Sequence, residues 1–295
     1  SMKFLIAIGS KEYSEPTLRI GMRVAKAFKA SVTICYVGPK VSAFSSNVVR
    51  LAQENLERWE MERPGVDILE WAFNFLAARE YITPNIIETG FQKNMLIQSS
   101  GSRSELLLQG TMCKDVRLIL RSGDIIDELR DEVAQNKYDV TIIGGSQKRR
   151  MAHDLVQFID SSIFVVNKFD YAMQYGLLVP VNDSKSTPKA VKYAVRVAQA
   201  FDIPVDLVTA SRKEEFGESY KNASDRAATM MRRSGIEHRQ HFKVGEADEV
   251  IKKMAGDDHI VVMGSSTKNP VKKFFFGSKQ IRVMTDAPFP ILIVK

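Results

Sequence analysis

The sequence predicts an α/β protein made of two tandem, doubly wound parallel-sheet domains. Short apolar runs typical of buried strands alternate with segments whose apolar residues recur at helical spacing. The same alternation returns in the second half of the chain at an offset of 173 positions. A repeat of this length indicates tandem domains, because the repeating units of solenoid proteins are much shorter.

The first strand and helix set the pattern of the first half. Lys3 to Ile8 form a short apolar strand, and Ser14-Glu15-Pro16 carries the hydroxyl cap, acid and early proline that mark a helix start. Apolar residues at helical spacing give this helix one buried face, and Val32 to Val37 form the next strand. Nearly continuous apolar strands are expected in a parallel sheet that is covered on both faces.

The second half repeats these elements in the same order. Leu177 to Val181 is a strand, Thr187-Pro188 starts a helix, and Val205 to Val208 is the next strand. The helix segment Arg23 to Phe28 recurs with few changes as Arg196 to Phe201. The shared order predicts one topology for both halves.

We place the two domains at residues 2–168 and 174–295, with a short linker between them. The first domain carries an insert from about 43 to 114 that has no counterpart in the second.

The insert contains two helix-like segments, 47–62 and 67–79, and then an irregular stretch, 83–114. Two apolar pieces of that stretch, Met95-Leu96-Ile97 and Leu106-Leu107-Leu108, could pair as a hairpin or form helical turns. Periodicity does not decide between these alternatives for runs this short.

Composition limits the classes of function. The formal net charge of +7 suits anionic ligands, but no basic stripe with interleaved aromatics indicates nucleic-acid binding. No apolar run has the length of a bilayer span, so we expect a cytoplasmic protein without a membrane partner. Cys35 and Cys113 show no metal-binding spacing and are expected to be reduced.

A small-residue loop follows the strand Ile260 to Met263. It reads Gly264-Ser265-Ser266-Thr267, and after nine further residues comes Gly277-Ser278. Small residues after a strand let backbone N–H groups approach an anion, and a helix N-terminus adds a favourable dipole. The alternative interpretation is an ordinary βα turn. Basic residues around the loop could neutralise a polyphosphate or form a solvated face; they are Lys268, Lys272, Lys273, Lys279 and Arg282.

The tandem repeat, the opening strand and this loop resemble the universal stress proteins, which belong to the wider adenine-nucleotide α-hydrolase-like group. The resemblance covers nearly the whole chain except the insert. It implies the strand order 3-2-1-4-5 in each domain, with Asn182 and Gly264 lining one crevice although they lie 82 positions apart.

The sequence departs from the ATP-binding branch of that family at named positions. The family pattern is G-x2-G-x9-G-[S/T], with an Asp at the end of the first strand. Here Thr267 stands at the second Gly and Asn182 at the Asp. In the first half, Gly9 replaces the Asp, and the loop after Gly144 has no second Gly-Ser, so we expect its site to be degenerate.

The resemblance implies a stress-response regulatory protein that binds ATP or AMP in the second domain, with no metal beyond Mg²⁺ associated with the nucleotide. The alternative is a protein-interaction module that binds no nucleotide; catalysis beyond weak ATP hydrolysis is not expected. The implied binding residues are Pro180, Val181, Asn182, Met263, Gly264, Ser265, Thr267, Gly277, Ser278 and Lys279.

The resemblance also predicts how the two domains are joined. The last strands, Ile163 to Val166 and Ile291 to Val294, are expected to pair antiparallel as an intramolecular pseudo-dimer. Tandem chains could additionally form homodimers, and further protein partners remain open.

Overall fold

The computed structural model describes residues 1–39, 64–113, 115–144, 154–155, 159–166, 169–265 and 289–295. The strands of the first half are β1 (Lys3–Ile8), β2 (Ser31–Gly38), β3 (Ile97–Ser100), β4 (Arg103–Gln109), β5 (Asp115–Ser122), β6 (Val140–Gly144) and β7 (Ser162–Val166). The helices of this half are α1 (Lys11–Phe28), α2 (Val66–Ala78), α3 (Pro84–Thr89) and α4 (Ile125–Asn136). The strands of the second half are β8 (Gly176–Pro180), β9 (Val205–Ser211), β10 (His238–Val244), β11 (His259–Gly264) and β12 (Ile291–Val294). Its helices are α5 (Thr187–Phe201), α6 (Glu218–Arg233) and α7 (Ala247–Ala255).

All these strands lie in one sheet, in the order β10-β9-β8-β11-β12-β7-β6-β1-β2-β5-β4-β3. Each half contains five strands in the order 3-2-1-4-5, and the first half adds β4 and β3 beyond its outer strand β5; this order confirms the predicted fold class. The halves meet where β12 pairs antiparallel with β7, so the predicted pairing of the last strands is also confirmed. The positions chosen for the domain boundaries stay a prediction.

Helices pack against each other across the same junction. The Arg23 guanidinium in α1 donates from Nε to the carbonyl oxygen of Ala200 in α5 at 2.8 Å, and it lies over the Phe201 ring. Phe28 and Tyr193 meet edge to face, with ring centroids 5.3 Å apart. The two halves are therefore joined by side chains of both repeats as well as by the sheet.

The first helix begins earlier than the sequence indicated. We predicted a start at Ser14, but α1 begins at Lys11 with Ser10 before it. The Ser14 hydroxyl instead accepts a hydrogen bond from the Gly9 N–H at 2.7 Å, while the Ser14 N–H donates to the Ser10 carbonyl. Pro16 lies in the second turn of α1, where its nitrogen has no hydrogen to donate to the carbonyl of Glu12 four residues earlier.

The insert adds structure to the outer edge of the first half. The predicted helix 67–79 is present as α2, whereas the predicted helix 47–62 lies outside the described residues. The stretch 83–114 is more regular than predicted, because it contains α3 and a hairpin of β3 and β4. Of the two alternatives left open for its apolar pieces, the hairpin is the one present. β4 then pairs antiparallel with β5. Its side chains alternate between the two faces of the sheet, so Leu106 and Leu108 are buried on the same face.

A buried ion network fixes this hairpin strand to α4. Glu132 is fully buried and accepts hydrogen bonds from Arg103 Nε at 2.8 Å, Arg121 Nε at 2.7 Å and the Tyr138 hydroxyl at 2.9 Å. Burial opposes the ionised carboxylate, but the hydrogen bonds and charges of the two arginines outweigh it. They hold the pKa of Glu132 below its ordinary value.

Candidate functional site

The loop between β8 and α5 is closed by the side chain of Asn182. Its Oδ1 accepts a hydrogen bond from the Ser184 N–H at 3.0 Å and another from the Thr187 hydroxyl at 2.8 Å. The Ser184 hydroxyl lies 3.0 Å from that of Ser186. This local bonding lets Asn182, two residues beyond the end of β8, turn the chain toward the start of α5. Within the described residues, the Asn182 amide nitrogen makes no hydrogen bond, so it remains available as a donor.

Gly264 ends β11 directly beside this loop. A Cβ built on Gly264 would lie 2.3 Å from the Ser186 hydroxyl oxygen, which no side chain could tolerate. The glycine is therefore required for close approach of the helix start to the strand end. The first half repeats this relationship, because a Cβ on Gly144 would lie 2.8 Å from the Thr17 hydroxyl oxygen of α1.

The structure brings one group of predicted binding residues to the same edge of the sheet. β8 and β11 are adjacent and parallel, so their carboxyl ends meet at the point where the strand order reverses. The predicted residues at these two strand ends are Pro180, Val181, Asn182, Met263, Gly264 and Ser265. Val181, Met263 and Gly264 are buried, which leaves Pro180, Asn182 and Ser265 as the partly exposed residues at this edge. The remaining predicted residues, Thr267, Gly277, Ser278 and Lys279, lie outside the described residues, as do Lys268, Lys272, Lys273 and Arg282.

The corresponding loop of the first half has no side chain at the position of Asn182. Gly9 stands at the position of Asn182, and its N–H is satisfied by Ser14, the counterpart of Thr187. The loop is thus closed in both halves, but only the second half adds a side-chain donor at the end of its first strand.

A cavity of about 140 Å³ lies under the same loop, between α5 and α6. Its wall combines Asn182 and Thr187 with apolar side chains of both helices, among them Val191, Ala227 and Met230. Ligand pockets commonly enclose about 300–1,000 Å³. This cavity can hold one ring-sized group at most. The alanines of α6 give it its depth, a pattern that sequence reasoning did not single out.

Sequence reasoning also missed a cluster at the opposite, amino-terminal edge of the second half. Asp206 bonds His241 Nε2 at 2.9 Å through one oxygen and His259 Nε2 at 3.0 Å through the other. The His259 ring packs against Gly176 of β8. A Cβ on Gly176 would lie 3.0 Å from His259 Nε2. Asp258 accepts from the other ring nitrogen of His259 at 2.7 Å. The positions are far apart in sequence, and only the strand order brings them together.

The charges of this cluster favour the imidazolium form of His259. Burial lowers its pKa, but the hydrogen bonds and charges of Asp206 and Asp258 outweigh burial, so the pKa is raised above its ordinary value. Burial raises the pKa of Asp206, but the hydrogen bonds and charges of His241 and His259 outweigh burial and hold this pKa below its ordinary value. The described part of the chain contains no group of three or more His, Cys, Asp or Glu side chains placed to hold a metal ion.

Comparison with known proteins identifies the class that this fold and crevice define. Residues 176–295 match the model of the universal stress protein family. The second half of the chain is therefore similar to a universal stress protein domain, and the resemblance drawn from its motifs is confirmed.

Two solved structures share the fold over nearly the full length. A universal stress protein from Archaeoglobus fulgidus DSM 4304 matches with a TM-score of 0.58 and 15% identity, covering 99% of this chain and 96% of that chain. A protein of unknown function from Pseudomonas aeruginosa PAO1 matches with a TM-score of 0.55 and 13% identity, covering 99% and 92%. No curated protein sequence matches the chain. None of the helices in the described ranges combines the length and apolarity needed to cross a membrane.

Proposed function

We propose that the second half binds an adenine nucleotide, ATP or AMP, in the crevice at the carboxyl ends of β8 and β11. The chain would then act as a regulatory protein of the stress response. The observation that carries this proposal is the packing of the loop that contains Asn182 and Ser186 against Gly264 at the switch point of a sheet whose sequence matches a universal stress protein domain. Gly277-Ser278, nine residues beyond Thr267, follows in the sequence as the second part of the expected phosphate loop.

The chemistry of Asn182 suits such a ligand. Its oxygen is used within the loop, so the amide N–H groups are the part that can reach a bound molecule. They can donate to a ring nitrogen of a purine or to a phosphate oxygen. The missing side chain of Gly264 lets Ser186 pack directly against the end of β11, which holds the Asn182 loop at the crevice.

Calorimetric titration of the full chain with ATP and AMP tests the proposal. We expect one nucleotide per chain. Gly264→Ala should abolish binding, because its new methyl group would force the β8–α5 loop away from β11. Gly144→Ala is the matched control, since it introduces a similar clash in the first half but should leave the affinity unchanged. Loss of binding in the control alone, or no binding by the parent chain, would contradict the proposal.

A second candidate function, protein interaction without a nucleotide, is favoured by β10, which pairs only with β9 among the described residues. Mass spectrometry of the denatured, freshly purified chain separates the two candidates. Retained adenine nucleotide supports nucleotide binding. Its absence, together with calorimetric titrations that show no binding, supports protein interaction without a nucleotide.

A further inference from the structure

β5 and β10 occupy the same position in the 3-2-1-4-5 strand order of the two halves, and each carries two basic residues at equivalent positions. Cys35 of β2 pairs with Ile119 of β5, and its counterpart Val208 of β9 pairs with His241 of β10. Arg117 and Arg121 lie two residues before and after Ile119, and Arg239 and Lys243 lie two residues before and after His241. Arg117 therefore corresponds to Arg239, and Arg121 corresponds to Lys243. Because side chains alternate along a strand, both basic residues of each strand lie on the same face.

In the first half, acidic side chains neutralise both arginines. Glu105 of the added strand β4 lies 2.9 Å from Arg117 Nε. Arg121 pairs with Glu128 and Glu132 of α4, at 2.8 Å and 2.7 Å. The hairpin thus covers the edge of β5 and supplies one of the acids that its basic face requires.

The second half presents the same edge without those acids. In the described part of the chain, β10 pairs only with β9. Helix α7 has Val250 and Met254 where α4 has Glu128 and Glu132.

The basic side chains of β10 also lack an ion pair of their own. Arg239 lies opposite Asp206 in the register, but the oxygens of Asp206 are bonded to His241 and His259. Neither Arg239 nor Lys243 forms an ion pair among the described residues, and both are exposed.

We infer that β10 is a docking edge for an extended acidic segment of a partner protein, which adds antiparallel to it as β4 adds to β5. Main-chain hydrogen bonds would supply the pairing, and side chains the selection. Acidic residues at alternate positions would face Arg239 and Lys243. The residues between them would be apolar, because Phe242 and Val244 on the other face of β10 are 39% and 54% exposed.

The charges disfavour a second copy of this chain as the occupant. Antiparallel pairing of two β10 strands would bring Arg239 of one chain close to Lys243 of the other, and like charges at cross-strand positions are destabilising. The same two residues that repel a copy attract an acidic strand. The inference does not depend on nucleotide binding, because β10 is the outer strand of the sheet while the proposed crevice lies between β8 and β11.

A fluorescein-labelled, end-capped peptide in which glutamate alternates with valine tests the inference by fluorescence polarisation on the full chain. We expect binding that weakens by about tenfold in Lys243→Glu, since an attractive cross-strand pair becomes repulsive. Lys221→Glu, on the exposed face of α6, is the matched control and should have little effect. A peptide with lysine in place of glutamate should not bind the parent chain.

Two further measurements separate strand addition from other modes of association. The same peptide N-methylated at alternate backbone amides keeps its charges but cannot pair, so it should not bind. Sedimentation should show no β10-dependent dimer. Equal binding of the methylated peptide, equal effects of Lys243→Glu and Lys221→Glu, absence of binding, or a dimer that Lys243→Glu abolishes would overturn the inference.

Discussion

Leu292 of β12 lies directly opposite Phe164 of β7, and this pair joins the two halves of the chain in one sheet. Both side chains are almost fully buried. Each last strand would otherwise be an exposed apolar edge, which is a site for unwanted strand pairing. In the tandem chain, the pairing of β7 with β12 therefore covers the apolar strand edge of both halves.

A charge in this pair should loosen the connection between the halves. Leu292→Glu or Phe164→Glu removes a buried apolar side chain and places a carboxylate in its site, at an expected cost of at least about 3 kcal/mol. Small-angle scattering should show a more extended particle, and urea unfolding should occur at lower concentration. Ile97→Glu, at the exposed far edge, is the control and should change neither. A parent chain that already scatters as two freely hinged bodies would refute this account of the junction.

The network around Glu132 should be sensitive to the loss of its central charge. Glu132→Gln leaves the buried guanidinium groups of Arg103 and Arg121 without their shared partner, and we expect a loss of about 3–5 kcal/mol in unfolding free energy. The neighbouring Asp131→Asn on the exposed face of α4 should cost little. Chemical denaturation measures both, and similar losses would mean that the network contributes no special stability.

The pH dependence of the second half should depend on His259. Its pKa is raised in the folded state, so it contributes stability that is fully present below the unfolded value of about 6.5 and is lost as the pH rises through the folded value. Thermal denaturation should show this loss in the parent chain and a flatter profile in His259→Gln. His238→Gln, whose ring contacts only a backbone carbonyl among the described residues, should retain the parent's profile. A parent-like profile in His259→Gln would exclude His259 as its origin.

Two substitutions toward the family pattern should strengthen nucleotide binding. Asn182→Asp keeps the oxygen that closes the loop, and Thr267→Gly removes a β-branched side chain that tolerates positive φ poorly. We expect affinity for ATP to rise several-fold, by about 1 kcal/mol, in the double variant. An aspartate directed at the phosphates would oppose part of this gain. Calorimetry on both single variants and the double variant decides, and no gain in any of the three would show that the loop is not a weakened phosphate site.

The repeat and its strand order could be predicted because buried parallel strands leave nearly continuous apolar runs. The same signal could not assign a secondary structure to Leu106 to Leu108, because an apolar run this short fits either a strand or a helical turn. Contacts between distant positions were equally inaccessible. Arg103 meets Glu132, and His259 meets Asp206, only because strand order and the absence of a side chain at Gly176 bring them together. The crevice at Asn182 could be anticipated because a family motif marks it.

Methyl NMR of the full chain, labelled at isoleucine and methionine, tests the central claim most directly. Met263 ends the core of β11 beside the proposed nucleotide crevice, and Ile143 occupies the equivalent position of β6 in the first half. On titration with ATP, the account predicts a saturable shift of the Met263 methyl signal and none of Ile143. A shift of Ile143 without one of Met263, or no shift of either at saturating ATP, would contradict it.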